Sequence, residues 1–365
     1  MIKLVYRNDV GKLEIPQEVL PANGLPHKHH FLSTDADNLI ELAGRVCYDS
    51  AASEKTRATP EYHQHINDVN HGSVQEHQSL VFQFQPLGEM DTLLTLCSCL
   101  NRPGTYATVL LDENKQRCVR ITANLRAIKE WNHFLPNNFV MESLTAQRVG
   151  DALKVAACKI YPLALGTFTV WNGNPLNPTI EKPTLPEETW LSFYTHGISR
   201  GLTHELVRHK YHTAVSQRST RYVDEAGSDW AWHPLILDAS EKEVEDVQPS
   251  LRDVEDFASE GYQEWCQFIE KRLLAKGIDK LTARKQARGA ARGILGNALS
   301  TELIWSASLD EIKRVISQRA NEHADGEIRL WANHLYEIVR PLYPDYFAAE
   351  TKPCPDGIGF GVYFK

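Results

Sequence analysis

The sequence predicts a mixed α/β protein. Short runs rich in aromatic and β-branched residues, SLVFQFQ at 79–85 and LSTELIWSA at 299–307, read as strands. Stretches with apolar residues at helical spacing stand between and after them. A third segment, ITANLRAIKEW at 121–131, passes from a strand pattern into a helical one.

In chain order, ADNLIELAGRV at 36–46 sets Leu39, Leu42 and Val46 on one helical face. Thr59-Pro60 opens a second helix with proline in its first turn, expected to run to His71-Gly72, where glycine stops it. The 121–131 segment shares an Ala-x-Leu-x-x-Ile-Lys skeleton with IWSASLDEIKR at 304–314, so a decayed internal repeat stands beside chance similarity as a reading. The tract 171–187 carries four prolines and is expected to be mostly loop. WLSFYTHGI at 190–198 reads as a strand, and Ser199 as the N-cap of a helix over 200–209. A polar loop over 224–252 is expected to lead into a helix around 253–275. Beyond it, Arg284, Arg288 and Arg292 recur every four residues on one helix face. Ser308 and Glu311 fit a capping box. They open a helix with Ile312, Val315, Ile316, Ile328, Leu335 and Val339 inward, ending before Pro341. Arg319, His323 and Glu327 share a face of that helix.

The 365 residues have a formal net charge of -8 and are 42% hydrophobic, an ordinary globular composition with room for one large domain or two. No run of 18 apolar residues points to a membrane span, and the first residues lack the apolar core of a signal peptide. Seven dispersed cysteines then read as reduced thiols in a cytoplasmic protein. An acidic total argues against nonspecific nucleic-acid binding, so the basic stretch RHKYHTAVSQRSTRY at 208–222 suits a small anion better. Guanidinium forks match phosphate oxygens, and serine hydroxyls complete such sites. A surface loop paired with the protein's own carboxylates explains the same charge, as a solvated stripe explains the helical arginines. His27, His29, His30, His63 and His65 read as surface histidines. Cys97-x-Cys99 lacks a second pair, so no metal site is expected. The glycine-rich nucleotide-binding patterns and GxSxG are absent.

These pieces resemble a family. HELVRHKYHTAVSQRSTRYVDE resembles the signature of flavin-dependent thymidylate synthases, Arg-His-Arg followed by a Ser-x-Arg-Tyr end. AGRVCYDS at 43–50, HGSVQEH at 71–77 and the span 291–329 are similar to three further blocks of that family, in the same order. The resemblance implies an α/β (α+β) fold with a central, mostly antiparallel sheet flanked by helices. It implies one catalytic domain over 1–365, with 86–187 as an inserted subdomain. It implies reductive C5-methylation of dUMP using FAD, NADPH and methylene-tetrahydrofolate, in a homotetramer. By the matching positions, Arg319 acts on the uracil ring as the catalytic residue. Ser219, Arg221 and Arg292 hold the dUMP phosphate, with Glu205 and Gln217 nearby. His77, Arg208, His209, Lys210, Arg314 and His323 line the flavin site. Lys210 stands where the family usually has arginine, Ser308 where it has asparagine, and Arg314 where asparagine or histidine is common. Two other readings stand beside this one: action on another pyrimidine nucleotide such as UMP, and a nucleotide-binding relative without catalysis.

Overall fold

The computed structural model describes residues 1–19, 35–50, 57–84, 97, 104–111, 114–130, 140–165 and 178–365. His27, His29, His30 and Cys99 lie outside them.

A five-stranded antiparallel sheet runs β2-β1-β7-β9-β8, built from β1 (Ile2–Arg7), β2 (Lys12–Leu13), β7 (Trp190–Ser199), β8 (Thr213–Gln217) and β9 (Ser300–Ser308). Its central strands are apolar on both faces because both faces are covered. Phe193 and Trp305 point to one side and pack with α10 (Leu309–Arg319) and α11 (Gly326–Val339) through Ile312, Val315, Ile328 and Leu335. Tyr194 and Ile304, one residue along each strand, point to the other side and meet Leu39, Leu42 and Val46 of α1 (Asp35–Tyr48). The apolar faces read from the sequence for both helices are therefore the buried ones.

A four-stranded sheet, β4-β5-β3-β6, is formed by β3 (Ser79–Phe84), β4 (Thr105–Leu111), β5 (Arg117–Asn124) and β6 (Thr179–Glu181). It has its own core, in which Phe82, Val119, Ile121 and Ile128 meet α2 (Thr59–Asp68), α3 (Leu125–Glu130), α4 (Val140–Cys158) and α5 (Pro162–Leu165). β3 precedes residue 86, yet it pairs with both β5 and β6.

Several sequence expectations are corrected. α2 ends at Asp68, four residues early, because Asn70 at φ 52 takes the left-handed position that Gly72 was expected to supply. His63 is not a surface histidine: it is 1% exposed and its Nε2 meets the Asp37 carbonyl at 3.2 Å. β6 interrupts the proline-rich tract. After the short α7 (Pro234–Leu237), the expected polar loop is helix: α8 runs Glu241–Leu274, opened by a full capping box between Ser240 and Glu243. α9 (Lys280–Ala291) follows antiparallel to it, and a hairpin of β10 (Ala349–Pro353) and β11 (Phe360–Phe364) closes the chain. At Ser308 only half the expected box forms: the hydroxyl accepts from the Glu311 amide, while the Glu311 carboxylate turns to Arg314.

The last helix is two helices. α10 stops at Arg319 and α11 starts at Gly326 behind the Asp325 cap, so Arg319, His323 and Glu327 share no face. Arg329 causes the break. It is 2% exposed and donates to the carbonyls of Asn321 at 3.1 Å, Ala324 at 2.7 Å and Ile358 at 2.7 Å, and to Asp356 at 2.6 Å. Those carbonyls are free to accept only where the backbone has left the helix. Arg329→Ala leaves them unpaired and is expected to cost about 3–5 kcal/mol, read as a lower urea midpoint. Arg329→Lys, lacking the fork, is expected to recover less than half of the loss. A variant of wild-type stability would show that the break has another cause.

Candidate functional site

β7 delivers the chain to Ser199, whose hydroxyl caps α6 (Arg200–Leu206) by accepting from Leu202 N at 3.0 Å. Glu327 holds that cap in turn, accepting from Ser199 N at 2.8 Å and from its hydroxyl. The helix and the turn after it present Glu205, Arg208, His209 and Lys210. From the C-terminal end of α10, Arg319 reaches this turn. Its Nη1 donates to Glu205 Oε2 at 2.6 Å and its Nε to His209 Nε2 at 2.8 Å. His209 can accept there only as a neutral ring with its proton on Nδ1. Burial first, and then the nearby Arg319, Arg314 and Arg208, lower its pKa to about 4. Nη2 of Arg319 has no partner among the described residues, and the side chain is 19% exposed. A guanidinium fixed at two edges and open at the third can donate to a carbonyl oxygen of a bound molecule.

A second group of cations gathers at the other end of α6. Arg200 Nη2 donates to the Arg218 carbonyl at 2.9 Å. Burial lowers the Arg200 pKa, with Glu225 opposing and Arg292 and Arg218 adding to the fall. Nε of Arg200 and Nε of Arg218 are buried without a partner. The carboxylates facing Arg218 are loose, Glu225 at 3.5 Å and Asp49 at 3.7 Å. Ser219 is fixed by its amide, which donates to the Cys47 carbonyl at 2.9 Å. Arg221 is exposed, its stem over Gly289 of α9, and Arg292, exposed too, ends that helix. Cations in excess of their carboxylates, with buried N–H groups unsatisfied, can accept an anion. Gln217 lies beside it on β8, donating to Thr203 at 3.1 Å and Thr301 at 3.3 Å.

The three periodic arginines divide by role. Arg284 meets Glu270 of α8 at 3.9 Å, whereas Arg288 holds the loop through Asp224 at 2.7 Å and the Tyr222 carbonyl at 2.5 Å. Arg292 lies near enough to Arg200 to add to the fall of its pKa. Lys285 sits 4.5 Å over the Tyr222 ring, and Tyr48 meets the same ring edge-on at 4.8 Å.

Of the other expected flavin ligands, Arg314 lies near His209 but pairs with Glu311, while His77 is buried and His323 exposed. His77 is 1% exposed, bound through Nδ1 to Ser306 Oγ and through Nε2 to Ser216 Oγ, each at 2.8 Å. Arg314 turns back to Glu311 at 2.6 Å. The His323 ring is 86% exposed and faces Glu322 at 3.7 Å. Sequence reasoning missed Arg200, and it left Arg218 without a role. The signal for Arg218 was its place among the basic residues of 208–222.

The span holding both cation groups has known relatives. Residues 182–345 match the thymidylate synthase complementing protein family. The chain is 36% identical over 162 residues to the flavin-dependent thymidylate synthase of Mycobacterium tuberculosis, covering 44% of this chain and 62% of that protein. The corresponding proteins of Mycobacterium marinum and Mycobacterium avium are 36% and 38% identical over 165 residues, with the same coverage. The chain thus spans about three-fifths of the length of the thymidylate synthases it matches. β7, α6, β8, β9, α10 and α11 all lie in the matched span, whereas α1, β3 and β5 lie outside it.

His77 titrates far from its ordinary value. Burial lowers its pKa to about 3, and that of His63 to about 4. A histidine with a depressed folded pKa leaves stability intact above the unfolded value of about 6.5 and removes it as the pH falls toward the folded value. Between pH 8 and pH 5 each is expected to weaken the fold by about 2 kcal/mol. Urea midpoints at the two pH values measure this, and His77→Gln is expected to remove its share of the slope. An unchanged slope would show that His77 does not stay neutral.

Proposed function

We propose that the chain is a flavin-dependent thymidylate synthase, converting dUMP to dTMP with methylene-tetrahydrofolate as one-carbon donor and NADPH as reductant. The observation that carries this reading is the pairing of Arg319 with Glu205 and neutral His209. It lies at one end of α6, with the Arg200–Arg218–Arg292 anion site at the other. One short helix thereby faces a phosphate with its first residue and a uracil ring with its last turn. Ser219, Arg221 and Arg292 hold the phosphate, joined by Arg200. The open Nη2 of Arg319 donates to a uracil carbonyl and stabilises the negative charge that grows there as C5 becomes nucleophilic. Glu205 keeps that guanidinium aimed, and His209 accepts from it without competing for charge.

The flavin site fits in part. Arg208 and Lys210 are exposed, and neither pairs with a described carboxylate, so both are free for a pyrophosphate. His77 lies too deep, and Arg314 is committed to Glu311. FAD, when bound, supplies the hydride that completes the methyl group. Assembly with further copies is supported by the apolar stripe Val254, Phe257, Trp265 and Phe268 on α8, exposed by 51–76%. A single catalytic domain over 1–365 accords with these residues arising from distant parts of the chain.

Tritium release from 5-tritiated dUMP tests the reading, with FAD, NADPH and methylene-tetrahydrofolate present. Release that depends on the folate and exceeds that from 5-tritiated UMP is expected. Preference for UMP would move the substrate, and binding without release from either would leave a nucleotide-binding protein. Arg319→Ala is expected to lower kcat about 10²–10³-fold with an unchanged KM for dUMP. Arg200→Met is expected to raise that KM with little change in kcat.

A further inference from the structure

We infer that the chain is two copies of one structural unit, packed as an internal dimer with exchanged edges. The second copy carries the anion site and the first is its built-in partner. The strand registers carry this. In the first copy β3 pairs with β5, Ser79 opposite Asn124 and Phe82 opposite Ile121. In the second β7 pairs with β9, Trp190 opposite Ser308 and Phe193 opposite Trp305. On the far side of each central strand Thr105 faces Ala123, and Thr213 faces Ala307. The junctions repeat bond for bond. Asn124 N donates to Gly104 O at 2.8 Å and Ser308 N to His212 O at 3.2 Å. Leu125 N donates to Gln78 O at 3.0 Å and Leu309 N to Thr189 O at 2.9 Å. Gly104 and His212 both have positive φ, 82 and 47. Asn124 and Ser308 both cap the helix that follows, accepting from Ala127 N at 2.8 Å and Glu311 N at 3.3 Å. The shared Ala-x-Leu-x-x-Ile-Lys skeleton falls on this junction in both copies, in one register.

The edges cross over. β1 precedes the first copy but pairs with β7 of the second, Leu4 opposite Phe193. β6 leads into the second copy but pairs with β3 of the first, Ile180 opposite the equivalent Phe82. The residue two before each first strand also reaches across. His77 bonds Ser306 and Ser216 of the second copy, and Glu188 accepts from Arg120 of the first at 2.6 Å. Two chemically unlike pairs at equivalent places are the mark of an exchanged dimer whose halves have diverged. Residues 86–187 are then the body of the first copy rather than an insertion.

The copies differ where the cations sit. β4 and β5 close as a hairpin with Leu111 opposite Arg117, whereas β8 and β9 are joined by 218–299, the excursion that bears Arg218, Ser219, Arg221 and Arg292. Among its described residues the first copy has no such excursion. It completes the second copy's site instead, through the Cys47 carbonyl on Ser219, Asp49 on Arg218 and Tyr48 on Tyr222. One anion site per chain, completed within the chain, is the consequence.

Two measurements test this on the full chain. Native-state hydrogen exchange, which needs no ligand, should show the amides of β3 and β5 opening together. Exchange of β5 more than a hundredfold faster than β3 would restore the separate insertion and overturn the two-copy reading. Calorimetric titration with dUMP, which rests on the function proposed above, should give one site per chain. Its affinity should not change as the protein is diluted until any oligomer dissociates. Two sites per chain, or affinity lost on dilution, would overturn completion within the chain. Absence of dUMP binding would count against the proposed substrate alone, and the exchange measurement would still decide the two-copy reading.

Discussion

A guanidinium acts in one direction only when its other donors are occupied, and the candidate site depends on that constraint at Arg319. Glu205 takes one edge and His209 another. The imidazole serves because it is neutral: a protonated ring would present an N–H to an N–H and push Arg319 out of place. Burial and the three surrounding guanidiniums keep the proton off. The guanidiniums around His209 thus favour the neutral ring that aims Arg319. Had His209 been a second carboxylate, it would have neutralised the field that favours a nucleotide.

At the other end of α6, a chain of net charge -8 leaves arginines underpaired in one place. Arg284 and Arg288 are paired with carboxylates, as an acidic protein easily arranges. Arg200 and Arg218 instead keep buried N–H groups unsatisfied. An unpaired buried donor costs about 1–3 kcal/mol, so such an arrangement persists where a ligand supplies the missing acceptors. Neither Ser199, held by Glu327, nor Ser219, held by Cys47, is free to relax the strain by moving.

What could be read from the sequence followed from how local its cause was. The strands at 79–84 and 300–308 and the helix at 35–48 were legible because their apolar spacing is set by the faces they bury. The long helix at 241–274 was legible only from about 253 on. Pro249 and a polar run hid its start, and its apolar stripe is exposed rather than packed on the core. The break after Arg319 was invisible for another reason: Arg329 causes it with partners as distant as Asp356 and Ile358. That break is why His323 was placed beside Arg319. Arg319, Ser219 and Arg221 were legible from the family-like pattern. Arg200 was not, since nothing in Ser-Arg-Gly reveals that two other arginines will approach it.

The internal repeat was half-visible, because four shared residues of a junction survive only where the backbone imposes them. Ala, Leu and Ile are set by packing against the strand, and the cap accepts either Asn or Ser. The largest difference lies where no pairing constrains it. A long excursion between β8 and β9 is tolerable because loop closure grows only slowly in cost with length and because both its ends are clamped. Arg218 N donates to Glu302 O at 2.9 Å, Ser300 N to Asp229 O at 2.9 Å and Ala231 N to Ala298 O at 2.7 Å. The first copy, closed by a short hairpin at the same place, keeps the register without the loop. A sheet that does not need its loop is free to lose a binding site and remain a partner. The asymmetry of the two halves therefore follows from the separation, present in each copy, between the strands that make the fold and the excursion that makes the site.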